Sequence, residues 1–250
     1  MLLTIAGSSC SGKTTAARAC ASLDRLVVHD FDEIGVPGTA DSRWRHRSLE
    51  TWLHRVLDYQ NDGLDVLLTG QSPLGEILAT PSAVHLDGIA ACLLDVADDE
   101  RLRRLEHRDP GRWQPHTLQS FIGWARWHRA HAADPRHRPD VLTAAGWEQM
   151  HWARWCTWLP GDPRWHVTVI DTTGQPVEQT ALTIQHWIAQ ARADQANGRL
   201  ALAPGWATPS PPTDQCDGHG TPRFIHKIKN EPKPREHHAL APACRKPGDR

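Results

Sequence analysis

A glycine-rich stretch near the start of the chain has the residue types that bind phosphate groups. The pattern Gly-x-x-x-x-Gly-Lys-[Ser/Thr] occurs once, and with the threonine that follows it comprises Gly7, Ser8, Ser9, Cys10, Ser11, Gly12, Lys13, Thr14 and Thr15. Glycines allow the backbone to curl so that successive N–H groups point at phosphate oxygens. Lys13 is expected to reach the β- and γ-phosphates, and the Thr14 hydroxyl is expected to bind Mg²⁺. The stretch therefore predicts a site for a nucleoside triphosphate with Mg²⁺.

Two carboxylates follow the second predicted strand. Asp30 and Asp32 flank Phe31, directly after the apolar run at 25–29. Open parallel sheets bind ligands at the carboxyl ends of their strands, and residues two apart on a strand share a face. We expect both side chains to converge on an acceptor hydroxyl or on Mg²⁺, with Asp32 favoured over Asp30 as the base and as the metal-binding carboxylate. The alternative is a pair of loop carboxylates that cap the next turn.

A cluster of arginines follows the fourth predicted strand. Arg104 and Arg108 are four residues apart and so share a helix face, which Arg101 can join. Phosphoryl transfer depends on neutralising the negative charge of the transferred group, which arginines closing over it would do. Arg104 and Arg108 are therefore candidate catalytic residues. The alternative is a solvated basic face that pairs with neighbouring acids.

Apolar runs and helical spacings alternate along the chain, which predicts the scaffold for these residues. Asp98 is the expected N-cap of the fourth helix, because further acids and then arginines follow it. This order predicts an α/β fold with a doubly wound, parallel five-stranded sheet between two helical layers. Strands are predicted at 2–6, 25–29, 65–69, 89–96 and 165–170, and helices at 13–23, 48–59, from 98, at about 115–132, at about 143–158 and at 176–192.

Composition narrows the classes of function. The formal net charge of the 250 residues is −1, which gives no electrostatic case for binding nucleic acid or an anionic membrane. The six cysteines are widely spaced, so neither a disulfide framework nor a thiolate zinc site is expected. No apolar run approaches the roughly 20 residues of a membrane span, and the N-terminus lacks the features of a signal peptide. These observations predict a cytoplasmic protein that binds neither nucleic acid nor a membrane.

The chain divides into two predicted parts. Residues 1–195 form the α/β domain, with a helical region at about 98–158 that covers the ligands. Residues 196–250 are rich in proline and lack apolar periodicity, so a disordered tail is predicted there.

Four features in this order resemble the P-loop nucleoside, nucleotide and small-metabolite kinases, of which adenylate kinase is typical. They are the glycine loop at 7–15, the Asp30–Asp32 segment, the strand at 93–96 with its arginine helix, and the segment 170–178. The resemblance covers roughly residues 1–192. It implies ATP as the nucleotide, with the adenine near Thr172 and Thr173.

The sequence departs from this pattern after the third strand. The run Val66–Leu68 is followed by Thr69, Gly70 and Gln71, so no acid stands where a Walker B aspartate would be expected. The metal role therefore passes to Asp30 or Asp32. The residues and the resemblance together predict an ATP-dependent kinase that moves the γ-phosphate of MgATP to an acceptor hydroxyl or phosphate on a small molecule. The alternative is a regulatory NTP-binding module without such an acceptor.

Tryptophan is abundant, with 12 residues in the chain. Trp124, Trp127, His128 and His131 fall on one helix face, which is more typical of a helical subdomain packing its own core than of a ligand platform or a metal site.

Overall fold

The computed structural model describes residues 1–208. Five parallel strands form one sheet, and their order across the sheet is β2-β3-β1-β4-β5. This confirms the predicted α/β fold with a parallel five-stranded sheet. The strands are β1 (Leu2–Ala6), β2 (Leu26–Asp30), β3 (Asp65–Gly70), β4 (Ile89–Asp95) and β5 (Val167–Asp171).

Helices cover both faces of the sheet. Neighbouring residues of β1 enter different cores: Leu2 packs with Trp52 and Leu53, whereas Leu3 packs with Ile184. Because side chains alternate across a strand, this division places a hydrophobic core on each side of the sheet. Within residues 1–208, no helix is both long and apolar enough to cross a membrane. The helices are α1 (Lys13–Arg18), α2 (Ser42–Asn61), α3 (Leu74–Ala79), α4 (Asp98–Arg108), α5 (Pro115–Ala133), α6 (Asp140–Thr143) and α7 (Val177–Ala196).

The prediction of a helix at about 143–158 is wrong. The segment holds the end of α6, a 3-10 turn at Trp152–Arg154 and irregular chain. Its backbone is bonded to other elements, since Trp147 N–H donates to His46 Nδ1 (3.2 Å) and His151 N–H donates to the Ala79 carbonyl (2.6 Å). These tertiary contacts replace the i→i−4 bonds that a helix would need.

One prediction is corrected at a helix end, and one helix was missed. Ala97, not Asp98, is the N-cap of α4, and the Asp98 carboxylate pairs with Arg126 (2.8 Å) on α5 instead. The short helix α3 was not predicted, because its six residues are too few to show a helical period.

The packed chain continues past the predicted domain boundary at 195. Leu202 and Trp206 are buried, and the Leu202 carbonyl accepts a hydrogen bond from Ile89 N–H (3.1 Å). The remainder of the predicted tail, from residue 209, lies outside the described residues.

Candidate active site

A cleft of about 860 Å³ lies at the carboxyl edge of the sheet. The glycine loop follows β1, the central strand, so the loops after β2 and β3 lie on one side of it and those after β4 and β5 on the other. We call the first side the carboxylate half, lined by residues between 30 and 45, residues 70–72 and Trp124. The second side is the arginine half, lined by Arg104, Arg108, Asp109, Thr172 and residues between 175 and 180.

The glycine loop has the curled backbone that phosphate binding requires. Gly12 has φ +87° and Cys10 has φ +63°, both in the left-handed region. A Cβ at Gly7 would lie 2.6 Å from the Leu94 carbonyl oxygen, so only glycine fits where the loop passes over β4. Of the predicted loop residues, Ser9 to Thr15 line the cleft, whereas Gly7 and Ser8 lie behind it. The Ser8 hydroxyl donates to the Phe121 carbonyl instead (3.1 Å).

Two arginines of α4 hold this loop in place. Arg101 is fully buried, and its guanidinium donates to the Ser9 carbonyl (2.6 Å) and pairs with Asp95 (2.9 Å). Burial lowers the pKa of Arg101, and Asp95 opposes that effect. Arg104 donates to the Thr172 carbonyl (2.7 Å) and reaches the Cys10 carbonyl (3.4 Å). The sequence placed these side chains on one helix face, but only the structure shows that Arg101 supports the loop from behind while Arg104 lines the cleft.

The third predicted arginine lies at the cleft rim. Arg108 lines the arginine half and pairs with Asp109 (2.8 Å). Its side chain is partly exposed.

The two predicted carboxylates occupy different positions. The strand β2 ends at Asp30, and Asp32 lies in a 3-10 turn at Phe31–Ile34, so the two do not share a strand face. Asp30 is buried, and its carboxylate accepts hydrogen bonds from the Thr14 hydroxyl (2.7 Å) and from Asp32 N–H (3.1 Å). Asp32 is exposed and lines the cleft. Asp30 therefore caps the turn, as one of the two sequence-based alternatives expected. It also faces the glycine loop, where the other alternative placed a metal-binding or acceptor-binding carboxylate.

The pair formed by Thr14 and Asp30 fits a magnesium ion. Mg²⁺ prefers oxygen ligands and is usually held by one or two protein oxygens together with phosphate oxygens. A hydroxyl and a carboxylate oxygen 2.7 Å apart, beside a phosphate-binding loop, supply that donor set. The carboxylate next to Thr14 is that of Asp30, whereas the sequence favoured Asp32.

Of the two threonines predicted near the nucleotide base, only Thr172 lines the cleft. Its hydroxyl bonds to the Ser11 carbonyl (3.1 Å) and so ties the turn after β5 to the glycine loop. Thr173 faces away: its hydroxyl accepts from Ala97 N–H (2.8 Å) and bonds to the Asp171 carboxylate. The hydrogen bonds that the hydroxyl and the N–H of Thr173 donate to Asp171 lower the pKa of that carboxyl group.

The carboxylate half contains an ion pair that the sequence did not predict. Arg45 of α2 lines the cleft and pairs with Glu76 of α3, which is fully buried. Burial alone would raise the pKa of Glu76, but Arg45 and hydrogen bonds from His46 and Ser72 lower it to about 2. The sequence feature that could have indicated this ion pair is Glu76 itself, the one acid in the apolar run at 73–79.

The aromatic face of α5 is mostly a packing surface, as expected. Trp127, His128 and His131 are buried, while Trp124 is half-buried and lines the carboxylate half. Burial lowers the pKa of His128 to about 3 and that of His131 to about 4. No group of three or more potential metal ligands occurs within residues 1–208.

Comparison with known proteins adds a likeness of fold. No protein-family model matches the chain, and no curated protein matches it in sequence. Among solved structures, a sugar kinase from Janibacter sp. HTCC2649 is 20% identical, with 77% of this chain and 96% of that chain covered and a TM-score of 0.48. A thymidylate kinase from Candida albicans is 13% identical, with 76% and 92% covered and a TM-score of 0.44. A gluconokinase from Sinorhizobium meliloti 1021 is 18% identical, with 78% and 96% covered and a TM-score of 0.42.

At these identities and TM-scores the likeness concerns the fold alone, so function is inferred from the cleft itself. The predicted resemblance to P-loop kinases is confirmed in the fold, because the parallel sheet carries the glycine loop after its central strand.

Proposed function

We propose that this protein is an ATP-dependent phosphotransferase that moves the γ-phosphate of MgATP to a small-molecule acceptor. One observation carries the proposal: a single cleft sets the glycine loop between an arginine-lined half and a carboxylate-lined half. Phosphoryl transfer needs this division, with fixed positive charge around the phosphates and an acceptor on the far side of the γ-phosphate.

The nucleotide is bound by the loop and the arginine half. The N–H groups at the N-terminus of α1, those of Lys13, Thr14 and Thr15, bind phosphate oxygens. Lys13 contacts the β- and γ-phosphates, and Arg104 and Arg108 neutralise the charge of the transferred group. Thr14 and Asp30 hold Mg²⁺, which when bound neutralises charge on the β- and γ-oxygens.

The acceptor is bound in the carboxylate half beside Asp32. Its hydroxyl oxygen attacks the γ-phosphorus, the bond from that phosphorus to the β,γ-bridging oxygen breaks, and ADP leaves. The proton of the hydroxyl passes to the Asp32 carboxylate, which is exposed to the cleft and can orient the hydroxyl before transfer. The products are ADP and the phosphorylated acceptor.

Asp30 also accounts for the missing acid after β3. Gly70 ends that strand against Phe31, where a Cβ would lie 3.1 Å from the Phe31 Cβ. The contact to the loop threonine that a Walker B acid would make is made by Asp30 from the next strand (2.7 Å). The absence of the usual acid therefore does not favour a regulatory module over a kinase.

The test is ATP turnover measured with a panel of nucleosides, nucleotides, sugars and other polyols. One acceptor class should stimulate turnover, and Asp32→Asn should lower the stimulated kcat by about 10²–10⁴-fold. The matched control is Asp87→Asn, an exposed carboxylate before β4 at the opposite edge of the sheet, which should leave kcat unchanged. Tight ATP binding without acceptor-dependent turnover would contradict the kinase and favour the regulatory module.

A further inference from the structure

The carboxylate half narrows the chemical class of the acceptor. We propose that the acceptor is a ring compound with free hydroxyl groups and no phosphate group, an inference that rests on the proposed kinase function. The charges and the aromatic walls of the carboxylate half support it separately.

The charge of this half disfavours an anionic acceptor. Among the residues described, it is lined by three acids and one cation, Arg45. Asp30 is assigned to Mg²⁺, which leaves the charges of Asp32 and Asp41 facing an acceptor. The charge of Arg45 is already matched by Glu76, which is fully buried and ionised, because its pKa is held at about 2. An acceptor phosphate would have to draw Arg45 away from a buried carboxylate, which is costly.

The other arginines that line the cleft cannot serve an acceptor phosphate. Arg104 and Arg108 lie across the glycine loop, in the arginine half. Phosphate groups are normally recognised by arginines that are available for bidentate bonds. Such an arginine is missing from the described lining of the carboxylate half.

The walls of this half fit a ring. Trp44 and Trp124 both line it, and Phe31 lies edge-on to Trp44 at 6.0 Å between ring centroids. Trp124 is held by stacking on Trp127 at 4.9 Å. Indole rings pack well against planar or sugar rings.

The experiment compares matched acceptors that differ by one phosphate group. ATP turnover is measured with uridine and uridine monophosphate, glucose and glucose 6-phosphate, and further nucleosides, sugars and cyclitols with their monophosphates. We expect an unphosphorylated member to stimulate turnover, with kcat/KM at least about tenfold above that of its phosphate, since like charges repel in a partly buried cleft. Stimulation by phosphorylated members alone would overturn this inference and leave the proposed function standing. No stimulation by any member would contradict both.

Two variants test why the unphosphorylated acceptor is preferred over its monophosphate. Asp41→Asn removes one negative charge but keeps a side-chain oxygen that can accept from Trp44 N–H, as Asp41 does at 2.7 Å. The ratio of kcat/KM between the unphosphorylated acceptor and its phosphate should therefore fall several-fold. Trp44→Ala should raise the acceptor KM about fivefold to tenfold and leave the KM for ATP unchanged, with partial recovery in Trp44→Phe. An unchanged preference in Asp41→Asn together with an unchanged acceptor KM in Trp44→Ala would overturn the assignment.

Discussion

The two halves of the cleft are built by different means. Next to the arginine half, two arginines of α4 bond to backbone carbonyls: Arg101 to that of Ser9, and Arg104 to those of Cys10 and Thr172. In the carboxylate half, two of the larger lining side chains are held by other side chains, Arg45 by Glu76 and Trp124 by stacking on Trp127. Backbone contacts hold a loop in one shape whatever its side chains are, whereas contacts between side chains depend on each residue involved.

This difference fits the two ligands that we propose. The triphosphate presents the same oxygens in every kinase, so a braced backbone loop suffices to bind it. The acceptor has to be distinguished from other small molecules, and that requires side chains of chosen shape and charge. Changes in the arginine half should therefore affect ATP binding and the fold together, whereas changes lining the carboxylate half should alter acceptor use.

The largest effect is expected at the loop itself. Lys13→Ala should lower acceptor-stimulated turnover by about 10²–10³-fold with an unchanged melting temperature, because it removes a charge next to the transferred group. Steady-state kinetics and thermal unfolding measure this. The control is Arg103→Ala on α4, whose side chain is 70% exposed and outside the cleft lining; wild-type turnover in Lys13→Ala would refute the site assignment.

Removing the buried arginine should affect stability and nucleotide binding together. Arg101→Ala removes the donor to the Ser9 carbonyl and one of the two arginines that pair with Asp95, the other being Arg129. We therefore expect about 1–3 kcal/mol of lost unfolding free energy. ATP affinity should fall as well, because the loop loses its support. Denaturant unfolding and calorimetric titration measure both quantities. If Arg101→Ala weakened ATP binding without destabilising the fold, Arg101 would be a ligand contact and the proposed bracing role would be wrong.

Acid should destabilise the aromatic core behind the carboxylate half. His128 and His131 have pKa values of about 3 and 4 in the folded protein, against 6.5 unfolded. Between these values the unfolded chain binds protons that the folded chain does not, so stability is complete above pH 6.5 and falls as the pH is lowered toward 4 and then 3. At pH 5 the loss should be about 2 kcal/mol per histidine relative to pH 8.

Unfolding curves from pH 8 to pH 5 test this dependence. His128→Gln should make stability less dependent on pH, while His54→Gln, at a side chain that is 65% exposed, should not. Equal slopes in the two variants would mean that His128 titrates normally in the folded state.

The smallest effect is expected at the threonine that faces away from the cleft. Thr173→Val removes the hydroxyl that bonds Ala97 N–H and Asp171, which should cost about 1 kcal/mol of stability and leave ATP affinity unchanged. A clear loss of ATP affinity would restore Thr173 to the nucleotide site, where the sequence had placed it.

The sequence predicted the features that depend on near neighbours. Each of the five strands was found from its apolar run, and the glycine loop from its pattern, because these signals lie within a few residues. The arginine face was also predictable from helical spacing. Which of its arginines is buried was not, since that depends on the Ser9 carbonyl, 92 residues away.

Two of the misses have the same cause, which is contact between residues far apart in the chain. The segment at 143–158 has the composition of a helix, but its backbone bonds to α2 and to the end of α3. In the sequence Glu76 is an isolated acid. The packing of α3 against α2 in the structure places Arg45 next to it. The hydrophobic periodicity of one segment does not reveal which distant residues that segment will contact.

The sequence by itself therefore determined the parallel α/β scaffold and the phosphate-binding loop, because apolar runs, glycines and the motif lysine act locally. The tertiary structure decided that Asp30 bonds Thr14 while Asp32 is exposed to the cleft, and that Arg45 is neutralised by a buried carboxylate. Those distinctions depend on where a strand ends and on which helices meet. They are also the distinctions on which the proposed choice of acceptor depends.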